Sequence, residues 1–389
     1  MTPRGDEGIV HLSLMRSSIK WGPGSWLSCC ALAVAASFAI GAGCGGGSQV
    51  SNGVGGASGG GDPYITGVGG GPAHTTSSSG GDPGAGGDTT TTTDDPKAGP
   101  PYPIVLCHGF FGFDNLAGIP GLPYFYHVKE RLADDGETSV YTPAVDPFNS
   151  SDFRSDQLIT HIDQILKETG KKKVILIGHS QGGLDARAVA VKAPDKVAAV
   201  MTVATPHNGS AVADIALGLT ENKDAAAIID KLVQLLGGPL YDQVGNETSI
   251  AKALYLFSQP GIAEFNAANP DQPGVFYASI TGRSSLSLGG QDCAADVILP
   301  WVFQWNDTKD PIDPLFSLAG LILSGNDGFP NDGLVRAKDA RRGQFWGCVP
   351  ADHMDEVGQL VGDGPGLGNA YDHKEMYSQI VKELRSRGY

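Results

Sequence analysis

Three short runs of consecutive apolar residues follow one another along the chain, at Ile104–Cys107, 174–177 and Val197–Val203. Apolar runs without polar alternation are typical of strands that are buried on both faces. Between the runs lie two helix-like stretches. Residues 155–168 have apolar side chains at 158, 159, 162, 165 and 166, close to the helical period, and residues 124–134 form the other stretch. This alternation predicts an α/β fold with a mostly parallel central sheet and helices on both faces.

The N-terminal part of the chain has a different pattern. An apolar run at 26–42 follows Arg16 and Lys20 and ends in small residues, which is typical of an export signal. An uncleaved membrane anchor is the alternative. Cys44 closes the run before three glycines, as in a bacterial lipoprotein attachment site. We therefore expect a signal peptide over residues 1–44, followed either by lipid attachment at Cys44 or by cleavage and secretion.

Residues 45–100 are rich in glycine, serine, threonine, aspartate and proline, with 19 glycines in 56 positions. Such a segment cannot bury enough apolar surface to offset chain entropy, so it is predicted to be a disordered linker. From residue 101 the composition is that of a globular protein, and the remaining 289 residues are enough for one large domain. The expected order is a signal, a tether and a domain over 101–389.

The charge balance excludes one class of partner. The chain carries 42 acidic and 27 basic side chains, for a formal net charge of −15. Binding to phosphates needs clustered lysine and arginine, so nucleic acid is not an expected partner. No stretch after residue 100 is long and apolar enough for a membrane span.

Candidate chemistry begins at residues 178–182, which read Gly-His-Ser-Gln-Gly. They follow the apolar run at 174–177 and precede a helix-like stretch at 184–193. A G-x-S-x-G pattern between a strand and a helix lifts the serine hydroxyl above the end of the sheet, where a carbonyl carbon can reach it. This context predicts that Ser180 is a nucleophile rather than part of an ordinary glycine-rich turn.

A serine nucleophile needs a histidine base and a carboxylate that orients the base, in the chain order Ser, acid, His. His207 follows Ser180 too closely for an acid-bearing strand to lie between them. His373 is expected to be a surface or capping residue at the start of the last helix. His353, in a loop, is therefore the candidate base.

The acid stays open on these residues alone. Asp332 precedes an apolar Leu-Val pair and fits the end of a strand, but Asp327 and Asp352 are rivals by spacing.

Acyl transfer also needs two backbone N–H groups directed at the developing oxyanion. Gln181, directly after the nucleophile, would supply one of them. The run at Ile104–Cys107 continues into His-Gly-Phe-Phe-Gly, and Phe110 in that loop would supply the other. We expect His108 to orient the loop rather than to act as a base.

Together these residues resemble the bacterial true lipases of the Pseudomonas and Burkholderia type, which are triacylglycerol lipases of the α/β-hydrolase fold. The most specific matches are Asn-Asp-Gly-Leu-Val at 331–335 and the His-x-Asp-Glu-x-x-Gln block that begins at His353. The resemblance covers about 102–380. Its other blocks lie at 102–115, 174–183 and 205–210.

The resemblance implies roles for single residues. The family's acid and base fall on Asp332 and His353. It also implies a structural Ca²⁺, since a hard cation takes carboxylate and carbonyl oxygens. An ion held next to His353 would hold the loop of the base, and the alternative is that the carboxylates are merely solvated. The implied ligands are Asp313, Asp355, Gln359 and Asp363, the last two through their backbone carbonyls. Asp307 and Asp310 are close to Asp313 in the sequence and are its rivals.

The chain departs from the family at its disulfide, because Lys338 stands where the family has a cysteine. Cys293 and Cys348 are an even pair in an exported domain and are expected to bond to each other. Cys107 should be a buried free thiol. An insert at 293–310 carries aromatic residues that either line a substrate site or form a local satellite core; we expect the second.

The position of residues 210–260 matches the family's lid. Within it, residues 225–237 have a broad apolar face that would cover the site and swing out to face lipid. A fixed core helix is the alternative.

The predicted function is that of an exported serine ester hydrolase, specifically a triacylglycerol lipase that releases fatty acids through an acyl-enzyme on Ser180. A short-chain or polyester esterase, or an acyltransferase, would use the same triad. A surface-tethered binding protein is the alternative outside the enzymes. The expected partners are a lipid or ester at an interface and, as a candidate, a lipase foldase. No organic cofactor is expected. The expected location is outside the cell or anchored at the cell surface.

Overall fold

The computed structural model of the protein describes residues 98–113, 122–218, 244–245, 247–284, 290–313, 316–325, 328–359, 364 and 369–389. The predicted signal peptide with Cys44, the predicted linker up to residue 97 and the predicted lid helix at 225–237 lie outside these ranges. Among the described helices, none has the length and apolar character needed to cross a membrane.

The described residues form a sheet of six strands in which every neighbouring pair is parallel. The order across the sheet is β2-β1-β3-β4-β5-β6. This confirms the predicted parallel sheet. The strands are β1 Ile104–Cys107, β2 Val140–Tyr141, β3 Val174–His179, β4 Val197–Val203, β5 Phe276–Gly282 and β6 Gln344–Val349.

Alternate side chains of the strands enter two hydrophobic cores, one on each face of the sheet. Ile104 and Leu106 of β1 lie in a core shared with the helices α1 (Val128–Asp134) and α9 (His373–Ser386). The intervening Val105 lies in the other core. That second core is shared with α2 (Ser151–Thr169) and α3 (Gln181–Lys192).

The other described helices lie in the connections from β4 to β5 and from β5 to β6. They are α4 Ala211–Gly218, α5 Ile250–Phe257, α6 Gln259–Ala268, α7 Pro300–Phe303 and α8 Ser317–Ser324, with single 3₁₀ turns at Pro194–Lys196, Gly290–Cys293, Ala337–Ala340 and Asp355–Val357.

Helix α1 is shorter than its sequence pattern predicts. It begins at Val128, whereas Tyr124 and Phe125 are buried in the turn before it. The reason is a tertiary contact, because the Tyr124 hydroxyl lies 2.7 Å from Nδ1 of His179. Helix α2 begins earlier than predicted, at Ser151.

The insert covers the outer edge of β6. Cys293 and Cys348 form a disulfide that joins the insert to this strand. Two hydrogen bonds of 2.8 Å also join the insert to β6. The Asp296 N–H donates to the Phe345 carbonyl, and the Phe345 N–H donates to Asp296 Oδ2. An edge strand with free backbone groups can pair with other chains, so this cover protects it.

The expectation of a satellite core for the aromatic insert is wrong. Val302 and Trp305 are buried in the main core together with Trp346. They reach it because the short helix α7 turns one side toward the sheet, which leaves Phe303 65% exposed on the other side.

Candidate active site

Ser180 occupies a tight turn between β3 and α3. Its φ is 53° and its ψ is −126°, a strained combination for a residue with a side chain. The turn needs its glycines, because a Cβ on Gly178 would collide with the backbone of Gly182, and one on Gly182 with the Cys107 carbonyl. Ser180 is partly exposed at the carboxyl end of β3, whereas His179 before it is buried.

His353 and Asp332 form a buried pair. Nδ1 of His353 lies 2.8 Å from Oδ2 of Asp332, and the His353 N–H donates to the Asp332 carbonyl at 2.9 Å. The other carboxylate oxygen accepts the N–H groups of Leu334 and Val335 at 2.8 and 2.7 Å. The carboxylate is therefore fixed by three donors. It orients the imidazole so that Nε2 is left for another group.

The fold brings this pair to the nucleophile turn. Strands β3 and β6 run parallel within one sheet, so the residues that follow them lie at the same edge. The ring of His179, directly before Ser180, lies 4.6 Å from the ring of His353, measured between centroids.

The rival acids are not paired with this histidine in the described structure. Asp352 accepts the N–H groups of Met354 and Asp355 at 2.9 and 3.1 Å on its Oδ1, and no hydrogen bond joins it to the His353 ring. Asp327 lies outside the described residues.

The other downstream histidines have structural contacts. His207 is buried against the Thr202 hydroxyl at 3.0 Å and Nη1 of Arg187 at 3.3 Å. Burial, followed by Arg187, lowers its pKa well below the usual range. His373 is the first residue of α9, where it is buried, and Asp372 is the cap. The expectation of a surface or capping histidine is therefore wrong, because the ring packs inward and bonds the Tyr126 carbonyl at 2.8 Å.

A second buried network, which the sequence did not predict, runs beside the pair. His179 contacts the Tyr124 hydroxyl through Nδ1 and Glu356 through Nε2, at 2.7 and 3.0 Å. Glu356 also accepts the N–H of Gly282. Burial and the nearby Asp332 raise the pKa of Glu356 well above its usual range. Burial and His353 lower the pKa of His179 well below its own.

These groups could in principle hold a metal, since single ligand atoms of His179, His353 and Glu356 lie within 4.8 Å of one another. Both nitrogens of His179 are already occupied by hydrogen bonds. The sequence signals for the network were the histidine of the G-H-S turn and the glutamate of the 353–359 block.

The loop after β1 lies against the nucleophile. A Cβ on Gly109 would stand 2.8 Å from the Ser180 Cβ. Phe111 has a φ of 59°, which turns the backbone sharply after Phe110. Within the described hydrogen bonds, the N–H groups of Phe110 and Gln181 have no acceptor. Two free donors flank the serine, as an oxyanion site requires.

His108 holds this loop and is not a base. Its Nε2 accepts the Val145 N–H at 3.1 Å, so Nδ1 carries the proton and donates to the Gly109 carbonyl at 3.0 Å. Burial and the Arg154 charge lower the pKa of His108 to about 3. A ring that stays neutral at every working pH serves as a fixed support, as predicted.

A cluster of carboxylates lies on the other side of the His353 loop. Asp355 is buried, and burial together with the charges of Asp352, Asp310 and Asp313 raises its pKa to about 9. Burial raises the pKa of Asp310 to about 7; the charges of Asp352 and Asp313 add to the rise, while the Ser284 hydroxyl and the Arg283 charge oppose it. Both carboxylate oxygens of Asp310 are buried without a hydrogen-bond partner in the described structure.

This cluster fits a hard cation, because buried carboxylates with unpartnered oxygens are costly without a positive charge among them. Of the four sequence-predicted ligands, Asp313 and Asp355 lie in the cluster. Gln359 is buried, and its side chain donates to the carbonyls of Pro123 and Tyr124. Asp363 lies outside the described residues. Asp310 was not among the predicted ligands.

Chemically, the site combines a strained serine, a carboxylate-oriented imidazole and two free backbone donors. Such a set can transfer an acyl group through a covalent intermediate on the serine.

Comparisons with known proteins agree with this geometry. The model of a family described as alpha/beta hydrolase fold matches residues 102–221. A triacylglycerol lipase of Vibrio cholerae is 34% identical over 305 residues, which cover 74% of this chain and 88% of the relative. Those of Pseudarthrobacter phenanthrenivorans and Burkholderia plantarii are each 29% identical and cover 74% of this chain, with 97% and 87% of the relative covered.

Among solved structures, the Staphylococcus hyicus lipase is similar with a TM-score of 0.54 and 18% identity, over 73% of this chain and 95% of that one. At this identity the likeness concerns the fold alone. The predicted α/β-hydrolase fold is confirmed.

Proposed function

The chain belongs to the triacylglycerol lipase family, and from that premise we propose that Ser180, His353 and Asp332 are its catalytic triad. As a member of the family it is a lipase, a hydrolase of carboxylic esters. The observation that carries the triad is the buried Asp332–His353 pair at the same sheet edge as the strained Ser180 turn.

The mechanism follows from the roles of these three groups. Nε2 of His353 takes the proton of the Ser180 hydroxyl as Oγ attacks the ester carbonyl carbon. Asp332 stabilises the imidazolium that forms. The tetrahedral intermediate then expels the alcohol, which takes the proton from His353. Water, deprotonated by His353, attacks the acyl-enzyme and releases the fatty acid.

The oxyanion of each tetrahedral intermediate would be bound by the N–H groups of Phe110 and Gln181. Donors that are already in place stabilise charge that develops only in the transition state, and one such donor contributes about 10²–10³-fold to kcat.

The proposed substrate is a triacylglycerol, the class of ester in the names of the relatives. We propose that its acyl chains are long. The test is hydrolysis of emulsified triolein and of tributyrin by the full chain, with Ser180→Ala as control. Ser180-dependent release of fatty acid from triolein is the expected result. Hydrolysis of tributyrin alone would assign a short-chain esterase. Activity unchanged in Ser180→Ala would contradict the proposed nucleophile.

The acidic cluster would hold a structural Ca²⁺ through Asp310 and Asp355, with Asp313 next to them. The support is the orphaned carboxylate of Asp310 and the strongly raised pKa of Asp355. The ion would supply positive charge that fixes the loop carrying His353.

The test of this site is thermal unfolding with Ca²⁺ and with chelator, which needs no turnover. Ca²⁺ at 100-fold above its Kd should stabilise the wild type by about 2.7 kcal/mol. Asp310→Asn and Asp355→Asn should lose this response. An equal response in Asp310→Asn and wild type would remove Asp310 from the ligand set.

Export is proposed from the N-terminal pattern. Residues 1–44 would direct the chain out of the cytoplasm. Residues 45–100 would then either tether the domain to a lipidated Cys44 or, after cleavage of the signal, remain as an N-terminal extension of a secreted protein. The mass of the mature N-terminal peptide distinguishes the two. A foldase is a proposed maturation partner, and recovery of full activity after refolding of the chain alone would exclude it.

A further inference from the structure

Arg154 of α2 is completely buried, and its guanidinium reaches the oxyanion loop. Nη2 donates to the His108 carbonyl at 2.6 Å, and Nη1 donates to the Gly109 carbonyl at 3.2 Å. Nη1 also lies 3.2 Å from Oε1 of Gln181. The remaining donor, Nε, bonds Asp185 at 2.8 Å. One side chain therefore contacts both segments that flank the nucleophile.

The contact with the Gly109 carbonyl fixes the direction of a neighbouring donor. In a trans peptide the C=O of one residue and the N–H of the next point in opposite directions. A donor that holds the Gly109 carbonyl therefore keeps the Phe110 N–H pointing the other way. The His108 ring and the Gly112 N–H bind the same carbonyl, at 3.0 and 3.1 Å.

The second donor is fixed through its own side chain. Gln181 is the first residue of α3, so its N–H has no intrahelical acceptor and is free for a ligand. Its buried side-chain amide is held at both ends. Arg154 donates to Oε1, and Nε2 donates to the Asn149 carbonyl at 2.7 Å.

We propose that Arg154 is a positioning residue that sets both N–H groups of the oxyanion hole from behind. This inference rests on the proposed function, because it assumes that Phe110 and Gln181 bind the oxyanion. The ion pair with Asp185 balances the buried charge but uses only part of the guanidinium. The other contacts all reach the two oxyanion segments, and a planar fork of five donors is the group that can make them together.

The central variant is Arg154→Lys, which keeps a positive charge opposite Asp185 but replaces the fork with a single ammonium. The matched control is Arg187→Lys. Arg187 is an equally buried arginine that contacts the His207 ring, the Asn266 side chain and the Asn269 carbonyl rather than the oxyanion loop. Both variants of the full chain are first checked for a cooperative thermal transition.

The readouts are kcat and KM on a soluble p-nitrophenyl ester, and the inhibition constant of an alkyl boronic acid. The boronic acid forms a tetrahedral, anionic adduct with a serine and so reports on the oxyanion hole directly. We expect Arg154→Lys to lower kcat by about 10- to 100-fold with little change in KM, as small misplacements of catalytic groups do. The inhibition constant should rise by a similar factor. Arg187→Lys should leave both close to the wild-type values.

Wild-type kcat and boronate affinity in Arg154→Lys would overturn the proposal, as would equal losses in Arg154→Lys and Arg187→Lys. If Arg154→Lys does not fold, Gln181→Ala tests the proposal instead. It removes Oε1, which accepts from Arg154, and keeps the backbone N–H that would bind the oxyanion. A lower kcat at unchanged KM supports the proposal, and an unchanged kcat overturns it. Activity that does not depend on Ser180 would instead refute the proposed function.

Discussion

Two sets of buried carboxylates hold the His353 loop, and they are satisfied in opposite ways. The Asp332 side chain has two backbone N–H donors and the His353 ring as partners. Asp310, on the other side of the loop, has no partner for either oxygen within the described structure, and its carboxylate neighbours repel it. The first set is complete with protein groups alone.

This difference separates the part of the site that protein groups satisfy from the part for which we propose a bound cation. A carboxylate that accepts several N–H groups is stable in a buried position, whereas a buried cluster of like charges is not. Backbone N–H groups therefore fix the Asp332 carboxylate, whereas the carboxylate cluster after His353 is the part for which we propose a bound cation. Chemistry and loop stability should respond to different substitutions, and the predictions below separate them.

The largest effect is expected for Asp332→Asn. Without the carboxylate the imidazole loses its orientation and its counter-charge, and in serine triads this lowers kcat by about 10⁴-fold. The thermal response to Ca²⁺ should stay as in the wild type. The measurement is kcat on a soluble ester together with a melting curve.

The control for this substitution is Glu356→Gln. Glu356 is equally buried close to His353, but its hydrogen bonds go to His179 and Gly282 rather than to the His353 ring, so an amide of the same shape should cost less than about 10-fold in kcat. A larger loss in Glu356→Gln than in Asp332→Asn would reverse the assignment of the acid.

The next effect concerns the disulfide that closes the chain segment carrying Asp310 and Asp332. Replacement of Cys293 and Cys348 by serine opens a loop with a sequence separation of 55. The chain-entropy argument predicts a loss of about 4 kcal/mol in the free energy of unfolding. The kcat per folded molecule should change little, since Asp332 and His353 keep their own hydrogen bonds. A collapse of kcat without a loss of stability would contradict this separation.

The sequence predicted the parts of this molecule that depend on local pattern. The strand–turn–helix around Ser180 is encoded in neighbouring residues, and Gly178 is required by a contact within the same turn, whereas Gly182 is required by the approach of β1. The acid stayed open, because Asp332 meets His353 only through the fold. The resemblance to a family, rather than spacing, selected it.

The parts that were missed are set by tertiary packing. Arg154 belongs to no short motif, and nothing nearby in the sequence marks the groups that it faces. Asp310 stayed a rival of Asp313, because spacing does not say which of the two carboxylates is buried. The aromatic insert was assigned to a satellite core because a local apolar pattern does not say which core it joins.

A smaller effect, with a change of sign, is expected for Asp310→Asn. In chelator the substitution removes one charge from a repelling cluster and should stabilise the fold by about 1–2 kcal/mol. In Ca²⁺ it removes a proposed ligand and should destabilise relative to the wild type. Chemical unfolding of the variant and the wild type in chelator and in Ca²⁺ measures whether the difference in their free energies of unfolding changes sign.

The matched control is Asp313→Asn. Asp313 is only half-buried, and its backbone N–H donates to Asp352 at 3.4 Å. Its substitution should change both free energies less. If the stability difference changes sign for Asp313→Asn and not for Asp310→Asn, Asp313 is the better assignment of the ligand.

The last prediction concerns a group outside both carboxylate sets, and its expected size is similar to that for Asp310→Asn. It tests whether the loss of stability in acid also comes from groups other than these carboxylates. The folded protein holds His108 neutral down to a pKa of about 3, while the unfolded chain protonates it below about pH 6.5. Between these values the unfolded chain binds the extra proton, so the free energy of unfolding falls as the pH falls. From pH 7.5 to pH 5 this single group should lower the free energy of unfolding by about 2 kcal/mol, and in His108→Asn the decrease should be smaller than in the wild type by that amount.

His179 and His207, whose pKa values are also lowered by burial, act in the same direction, so part of the decrease in the free energy of unfolding should remain. Denaturant unfolding of both proteins at the two pH values gives the difference. Parallel pH profiles would mean that His108 is protonated without cost in the fold, and that the loss of stability in acid comes from other groups.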